Sequence, residues 1–254
     1  MNAQFPSLLW VVRHGQSAGN VARDLAEEQG LRTIEIAERD IDVPLSVLGQ
    51  RQSEALGLWF SRLAQDSRPE IILCSPYIRA RQTADALNAA LNVDTPVKLR
   101  TDERLREKEF GILDRLTPAG IRHKYPELDE QRKHVGKFYF RPPGGESWCD
   151  VILRLRSLLE MVSREYAGQR VLIVAHQVIV NCMRYLIETL SEEQILSIDR
   201  LSDVPNCGVT SYRLEKNEQQ AGELVLELEN FVAAMHEEGM PVTTAPDKPA
   251  GPKP

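Results

Sequence analysis

Leu8-Leu9-Trp10-Val11-Val12-Arg13-His14-Gly15-Gln16-Ser17-Ala18-Gly19-Asn20 opens with an unbroken apolar run that reads as a buried β-strand. The run stops at Arg13-His14-Gly15, where glycine lets the chain turn in space that a side chain would obstruct. A cation and an imidazole thus stand at the carboxyl end of a strand, the edge at which open α/β sheets bind ligands. Alone, such a histidine would read as a strand cap. Arg170-Val171-Leu172-Ile173-Val174-Ala175-His176 repeats the arrangement, an apolar strand tipped by histidine and followed by a helix. Two such strands put two imidazoles at one sheet edge, and that edge becomes the place to look for chemistry.

The 254 residues suffice for one large domain or two small ones, and 42% hydrophobic content supplies a substantial core. A formal charge of −6 argues against nucleic acid as the partner. A chain this acidic that handles phosphate must concentrate its arginines locally. Cys74, Cys149, Cys182 and Cys207 form no paired motif and read as isolated thiols of a reducing compartment. No apolar run approaches the ~18 residues of a membrane span. Residues 1–6 lack the order of a secretory signal, so a cytoplasmic location is expected.

Between the two strands, residues 21–42 are charged and read as a surface loop or short helix beside the site, ended by Pro44. Ser46 resembles the N-cap of a helix over 47–65 whose apolar face includes Leu48, Ala55, Leu56, Trp59, Phe60 and Leu63. Glu70-Ile71-Ile72-Leu73-Cys74-Ser75-Pro76 is a second buried strand with its turn, and Tyr77 opens a helix. Arg79 and Arg81 in the first turn oppose the helix dipole, which leaves two readings: solvated side chains, or ligands for an anion. Val97-Lys98-Leu99 reads as a short strand leading to Leu105-Arg106-Glu107-Lys108-Glu109-Phe110-Gly111, where two acids lie close together. Residues 117–139 are polar, carry Pro118 and Pro126, and read as helices and loops leaving the sheet. A helix over 148–166 shows an apolar face of Val151, Leu155, Leu158, Leu159 and Val162. Residues 204–212 turn into a strand, with a partner over 223–232. His123, His134 and His236 read as surface residues, and the Pro- and Lys-rich end from about Gly239 as a loose tail.

Five landmarks follow one another in order: Arg13-His14-Gly15 with Asn20, Pro44-Leu45-Ser46 with Gly49, Ser75-Pro76 with Arg79-Ala80, Leu105 with Glu107 and Gly111, and His176. In these the chain resembles the histidine phosphatase superfamily, which includes cofactor-dependent phosphoglycerate mutases and fructose-2,6-bisphosphatases. The resemblance implies an α/β fold, a three-layer α/β/α sandwich on a central, mostly parallel mixed sheet. It implies one domain over residues 1–236; the polar, proline-bearing stretch around 112–145 reads as a lid-like insertion, and the Pro-rich composition of 237–254 as a disordered tail. It also implies a metal-independent phosphatase with no cofactor, hydrolysing a small phosphorylated metabolite through a phosphohistidine on His14. Arg13, Asn20, Arg79 and His176 would hold the phosphate. Glu107 would be the general acid and base, with Glu109 as the fallback, and Arg141 and Gln177 would touch the rest of the substrate.

Residues 141–147 and His176-Gln177 most resemble the fructose-2,6-bisphosphatases. However, Pro118, Gly144 and Asn181 stand where those enzymes have tyrosine, lysine and arginine. Two lost cations weaken the hold on a second phosphate, so another phosphate ester, or a broad set, is expected. Mutase or fructose-2,6-bisphosphatase action is the alternative, and a non-catalytic module on the same fold is a further one. Two histidines and a carboxylate could instead bind a metal, but neighbouring arginines would repel it and no zinc-type spacing is present. The sequence leaves a homo-oligomer open.

Overall fold

The computed structural model describes residues 5–91, 97–216 and 222–244. The opening run forms strand β1 (Leu8–Arg13), buried at every position. It pairs in parallel with β4 (Arg170–Ala175) and antiparallel with β5 (Val209–Lys216). β2 (Ile71–Cys74) is parallel to β4 and to β3 (Lys98–Thr101), while β6 (Gly222–Phe231) runs antiparallel to β5. The resulting mixed sheet has six strands in the order β3-β2-β4-β1-β5-β6.

Helices cover both faces of this sheet, which is why its inner strands read as continuous apolar runs rather than alternating ones. Successive side chains of β1 point to opposite faces. Leu8, Trp10 and Val12 join Leu56 and Phe60 of α2 (Val47–Arg62) and Ala80, Ala84 and Leu87 of α3 (Ile78–Leu91). Leu9 and Val11 join Val151, Leu155 and Leu158 of α6 (Trp148–Glu165) and Val178 and Ile179 of α7 (Gln177–Ile187). This is the expected α/β/α sandwich. The Ser46 hydroxyl accepts the Gly49 N–H at 3.0 Å and starts α2, as its position indicated. One further helix, α8 (Glu192–Leu201), has no counterpart in the sequence reading, although Ser191 and Gln194 form its capping box.

Two segments rise from the sheet edge and lean on each other. One is α1 (Ala18–Glu28) with the connection that follows it; the other carries α4 (Pro118–Lys124) and α5 (Pro126–Val135) around Leu113, Ile121 and Phe140. Ile34 N–H donates to Arg115 O at 2.8 Å, and Thr117 Oγ donates to Leu31 O at 2.6 Å.

The expectation of a loose end from Gly239 fails for its described part. After α9 (Ala233–Glu237), Met240 and Val242 pack against the core on the α2 side. Gln52 Nε2 donates to Pro241 O at 2.9 Å and to Thr243 Oγ1 at 3.0 Å. Two apolar side chains and a run of backbone groups outweigh the surrounding proline and lysine. Residues 245–254 lie outside the described residues.

Candidate active site

Parallel pairing sets Arg13 opposite Ala175, so His14 and His176 leave the sheet side by side. Their rings are 5.0 Å apart at 66°. Ser75, at the end of the neighbouring β2, joins them: its Oγ lies 2.8 Å from His176 Nε2. The backbone of this strand end is held from below. Cys207 N–H donates to Arg13 O at 3.0 Å, and Asn206 Nδ2 donates to His14 O at 3.0 Å. Gly15 is needed for close approach, since a Cβ there would lie 2.5 Å from Gly49 O. Gly49 is needed for the same reason, because its Cβ would meet Gln16 O at 1.9 Å.

His14, Arg13, Asn20, Arg79, Glu107 and Gln177 all line one cavity, and the His176 ring meets His14 edge-on. The chain thus brings together seven of the eight residues expected of the site. Arg13 Nη1 donates to Gln177 Oε1 at 2.9 Å and to Val204 O at 2.5 Å, and Gln177 in turn donates to Asp203 at 3.1 Å. Asn20 is the third residue of α1; its Oδ1 accepts the Ser17 N–H at 2.9 Å, which turns the amide nitrogen to other uses. Arg79 sits in the first turn of α3, over the Tyr77 ring at 4.8 Å. Glu107 is 8% exposed, with Oε1 accepting the Lys108 N–H at 2.8 Å. Its Oε2 lies 3.9 Å from His176 Nδ1, too far for a hydrogen bond. The two acids differ in position: Glu107 lines the cavity, whereas Glu109 accepts the Tyr77 hydroxyl at 3.0 Å and is not among the lining residues.

His14 Nδ1 is 2.7 Å from Gly15 O. A carbonyl can only accept, so this contact puts the ring proton on Nδ1 and leaves the Nε2 lone pair available. Burial, then Arg79 and Arg13, holds the His14 pKa well below the ordinary imidazole range. Burial also lowers His176, with Arg79, His14 and Arg13 adding to it. Both rings are therefore neutral, and the 3.9 Å approach of His176 to Glu107 is not an ion pair. His176 Nδ1 is buried with no hydrogen-bond partner.

Arg141 is the exception. Its exposed guanidinium is bound to Asp150, at 2.8 Å through Nε and again through Nη2, and it is not among the cavity-lining residues. Several residues that do line the cavity were not singled out by the sequence reading: Arg23, Glu38, Asp40, Phe110, Asp114 and Arg115. Asp40 meets Arg79 directly, with its Oδ1 3.0 Å from Nη1 and its backbone oxygen at 2.5 Å. Arg115, held at a φ of 59°, donates to Ile36 O at 3.0 Å and Glu38 O at 2.6 Å. Nothing local marks these pairs, which bridge sequence separations of 39 and about 80 residues. Among the described residues, no cluster of three His, Cys, Asp or Glu side chains could hold a metal ion, and no helix is long and apolar enough to cross a membrane.

Comparison with known proteins agrees with this geometry. The chain is 29% identical over 179 residues to a 6-phosphofructo-2-kinase/fructose-2,6-bisphosphatase of Caenorhabditis elegans. That match covers 70% of the chain but only 33% of the relative, so the chain spans about a third of that protein's length. It is 31% identical over 225 residues to a 2,3-bisphosphoglycerate-dependent phosphoglycerate mutase of Nitrobacter winogradskyi, covering 86% of the chain and 97% of the relative. A solved mycobacterial glucosyl-3-phosphoglycerate phosphatase superposes with a TM-score of 0.67 at 25% identity, covering 88% of this chain and 99% of that one. Residues 9–226 match the model of the histidine phosphatase superfamily, branch 1. The chain belongs to the histidine phosphatase superfamily.

Proposed function

We propose that the chain hydrolyses a phosphate monoester in two transfers, with His14 as nucleophile. The observation that carries this reading is the Nδ1 bond to Gly15 O, which fixes the tautomer of a neutral, buried imidazole beside two guanidinium groups. His14 Nε2 attacks phosphorus, and the ester oxygen departs opposite it. Arg13 and Arg79 present permanently charged forks to the equatorial oxygens, and the Asn20 amide adds a neutral donor. His176 is neutral, so it contributes a hydrogen bond rather than a charge. If the Ser75 hydroxyl donates to Nε2, the His176 proton sits on Nδ1 and faces the phosphoryl group.

Glu107 gives its proton to the departing oxygen, then takes one from the water that hydrolyses the phosphohistidine. Asp40 is bound to Arg79, and an incoming phosphate shares or displaces it. Among the lining residues, Arg13, Arg23, Arg79 and Arg115 face the carboxylates of Glu38, Asp40 and Asp114, with Glu107 protonated as the donor, which leaves a surplus of one positive charge. Such a lining accommodates one phosphate more readily than two. That favours a monophosphate ester over fructose 2,6-bisphosphate, and hydrolysis over a mutase cycle that retains a bisphosphate.

The purified protein should release inorganic phosphate from p-nitrophenyl phosphate. His14→Ala should reduce kcat by more than about 10³-fold. Comparable turnover by both proteins would overturn the reading, and a panel of phosphate esters would then define the natural substrate.

A further inference from the structure

The segment that follows α9 reaches the underside of the active-site loop. Thr243 is its contact point. Its Oγ1 donates to Asn206 Oδ1 at 3.0 Å and accepts from Gln52 Nε2 at 3.0 Å, while its carbonyl accepts the Asn206 N–H at 2.9 Å. Both amide side chains are fully buried, and both pass the contact on. Asn206 Nδ2 donates to His14 O at 3.0 Å and stands 3.5 Å from Asn20 Oδ1. Gln52 Oε1 accepts the Gln16 N–H at 2.9 Å. One hydroxyl therefore lies two hydrogen bonds from the backbone of His14 and of Gln16, on either side of Gly15.

Resting on the reading of His14 as nucleophile, we propose that Thr243 is a positioning residue. It steadies the Asn206 and Gln52 amides that hold the 14–16 loop, and so keeps His14 aimed at phosphorus. His14 O and Pro241 O can only accept and the Gln16 N–H can only donate, which fixes the orientation of both amides; the Thr243 hydroxyl donates to the Asn206 oxygen, accepts from the Gln52 nitrogen, and so ties the two together. Without it, Asn206 Oδ1 is a buried acceptor that has lost its side-chain donor. Turning cannot repair the loss, because it would set the amide oxygen against His14 O; the amide shifts within its site instead, and its bond to His14 O loosens. Displacement of the nucleophile should show in the chemical step, because Arg13 and Arg79 hold the phosphate from other elements.

Thr243→Val keeps the shape and removes the hydroxyl, and Thr243→Ser restores it. Thr243 is only part-buried, and the Val variant is expected to melt within a few degrees of the native protein. The expected result, measured well below melting, is a fall in kcat of about tenfold in Thr243→Val, of the order of one lost hydrogen bond. The inhibition constant of inorganic phosphate should stay within about threefold, and Thr243→Ser should recover most of kcat. An unchanged kcat in the folded Val variant would overturn the proposal, as would a Ser variant as impaired as Val. So would parallel losses of kcat, phosphate affinity and melting temperature, which describe a general loosening. A His14→Ala protein that keeps its activity would overturn the reading of the site itself, a separate outcome from any of these.

Discussion

Replacing Glu107 by glutamine tests the division of labour in the site. Glutamine keeps the length of the side chain and the oxygen that accepts the Lys108 N–H at 2.8 Å, but it has no proton to give. A positioned general acid contributes about 10²–10⁴-fold, or roughly 2.7–5.4 kcal/mol of barrier. Glu107 is 8% exposed, so bulk water is a poor substitute and a loss near 10³-fold is expected for an alkyl ester such as glycerol 3-phosphate. p-Nitrophenolate leaves without protonation, so p-nitrophenyl phosphate should lose less than about tenfold. The assay is kcat/KM for both esters. This quantity reports steps through transfer to His14 and is blind to slow hydrolysis of the intermediate. Glu109→Gln is the control, since Glu109 is engaged with the Tyr77 hydroxyl at 3.0 Å and should affect both esters alike. Equal losses for the two esters in Glu107→Gln, or none, would refute the assignment of Glu107 as acid.

Three further outcomes follow from the geometry. Attack requires neutral His14, whose pKa is lowered by burial and then by Arg79 and Arg13, so kcat/KM should hold on the acid side of 6.5. Arg79→Gln removes one of these causes, and the acid limb of the surviving activity should move to higher pH; a limb that stays or moves down would contradict the account. The same shifts bear on stability. With His14 and His176 kept neutral in the fold, the unfolded chain binds protons that the native one does not once pH falls below about 6.5. The melting temperature should therefore drop from pH 7 to pH 5.5, each histidine contributing at most about 1.4 kcal/mol per pH unit in that window, and a flat profile would count against buried neutral rings. Gly49→Ala would place a methyl group 1.9 Å from Gln16 O, so it should cost about 1–3 kcal/mol in chemical denaturation and also reduce kcat. A variant with native stability would show that the α2 start is free to move.

The central strands and the two histidines of the candidate site were legible for one physical reason. Parallel strands buried on both faces read as unbroken apolar runs, and His14 and His176 are joined covalently to their ends. Pairing then makes them neighbours, whatever loops intervene. Ser46 was legible because a cap is a local event over three residues. Asp40 was not, because its contact with Arg79 depends on how a charged connection folds over the sheet edge. Arg141 was assigned by resemblance to the cavity, but the structure gives its guanidinium to Asp150, nine residues on and already fixed at the start of α6. The end of the described chain misled for a related reason: composition predicted looseness, while Met240, Val242 and Thr243 supply enough specific contacts to dock it.

The central claim is a covalent one. Rapid quenching in alkali of the protein turning over a ³²P-labelled ester should trap label that survives base and is lost in acid, as a phosphoramidate is. Peptide mapping should place it on His14, and His14→Ala should trap none. Label on another residue, or turnover with no trapped phosphate and an active His14→Ala protein, would contradict the account.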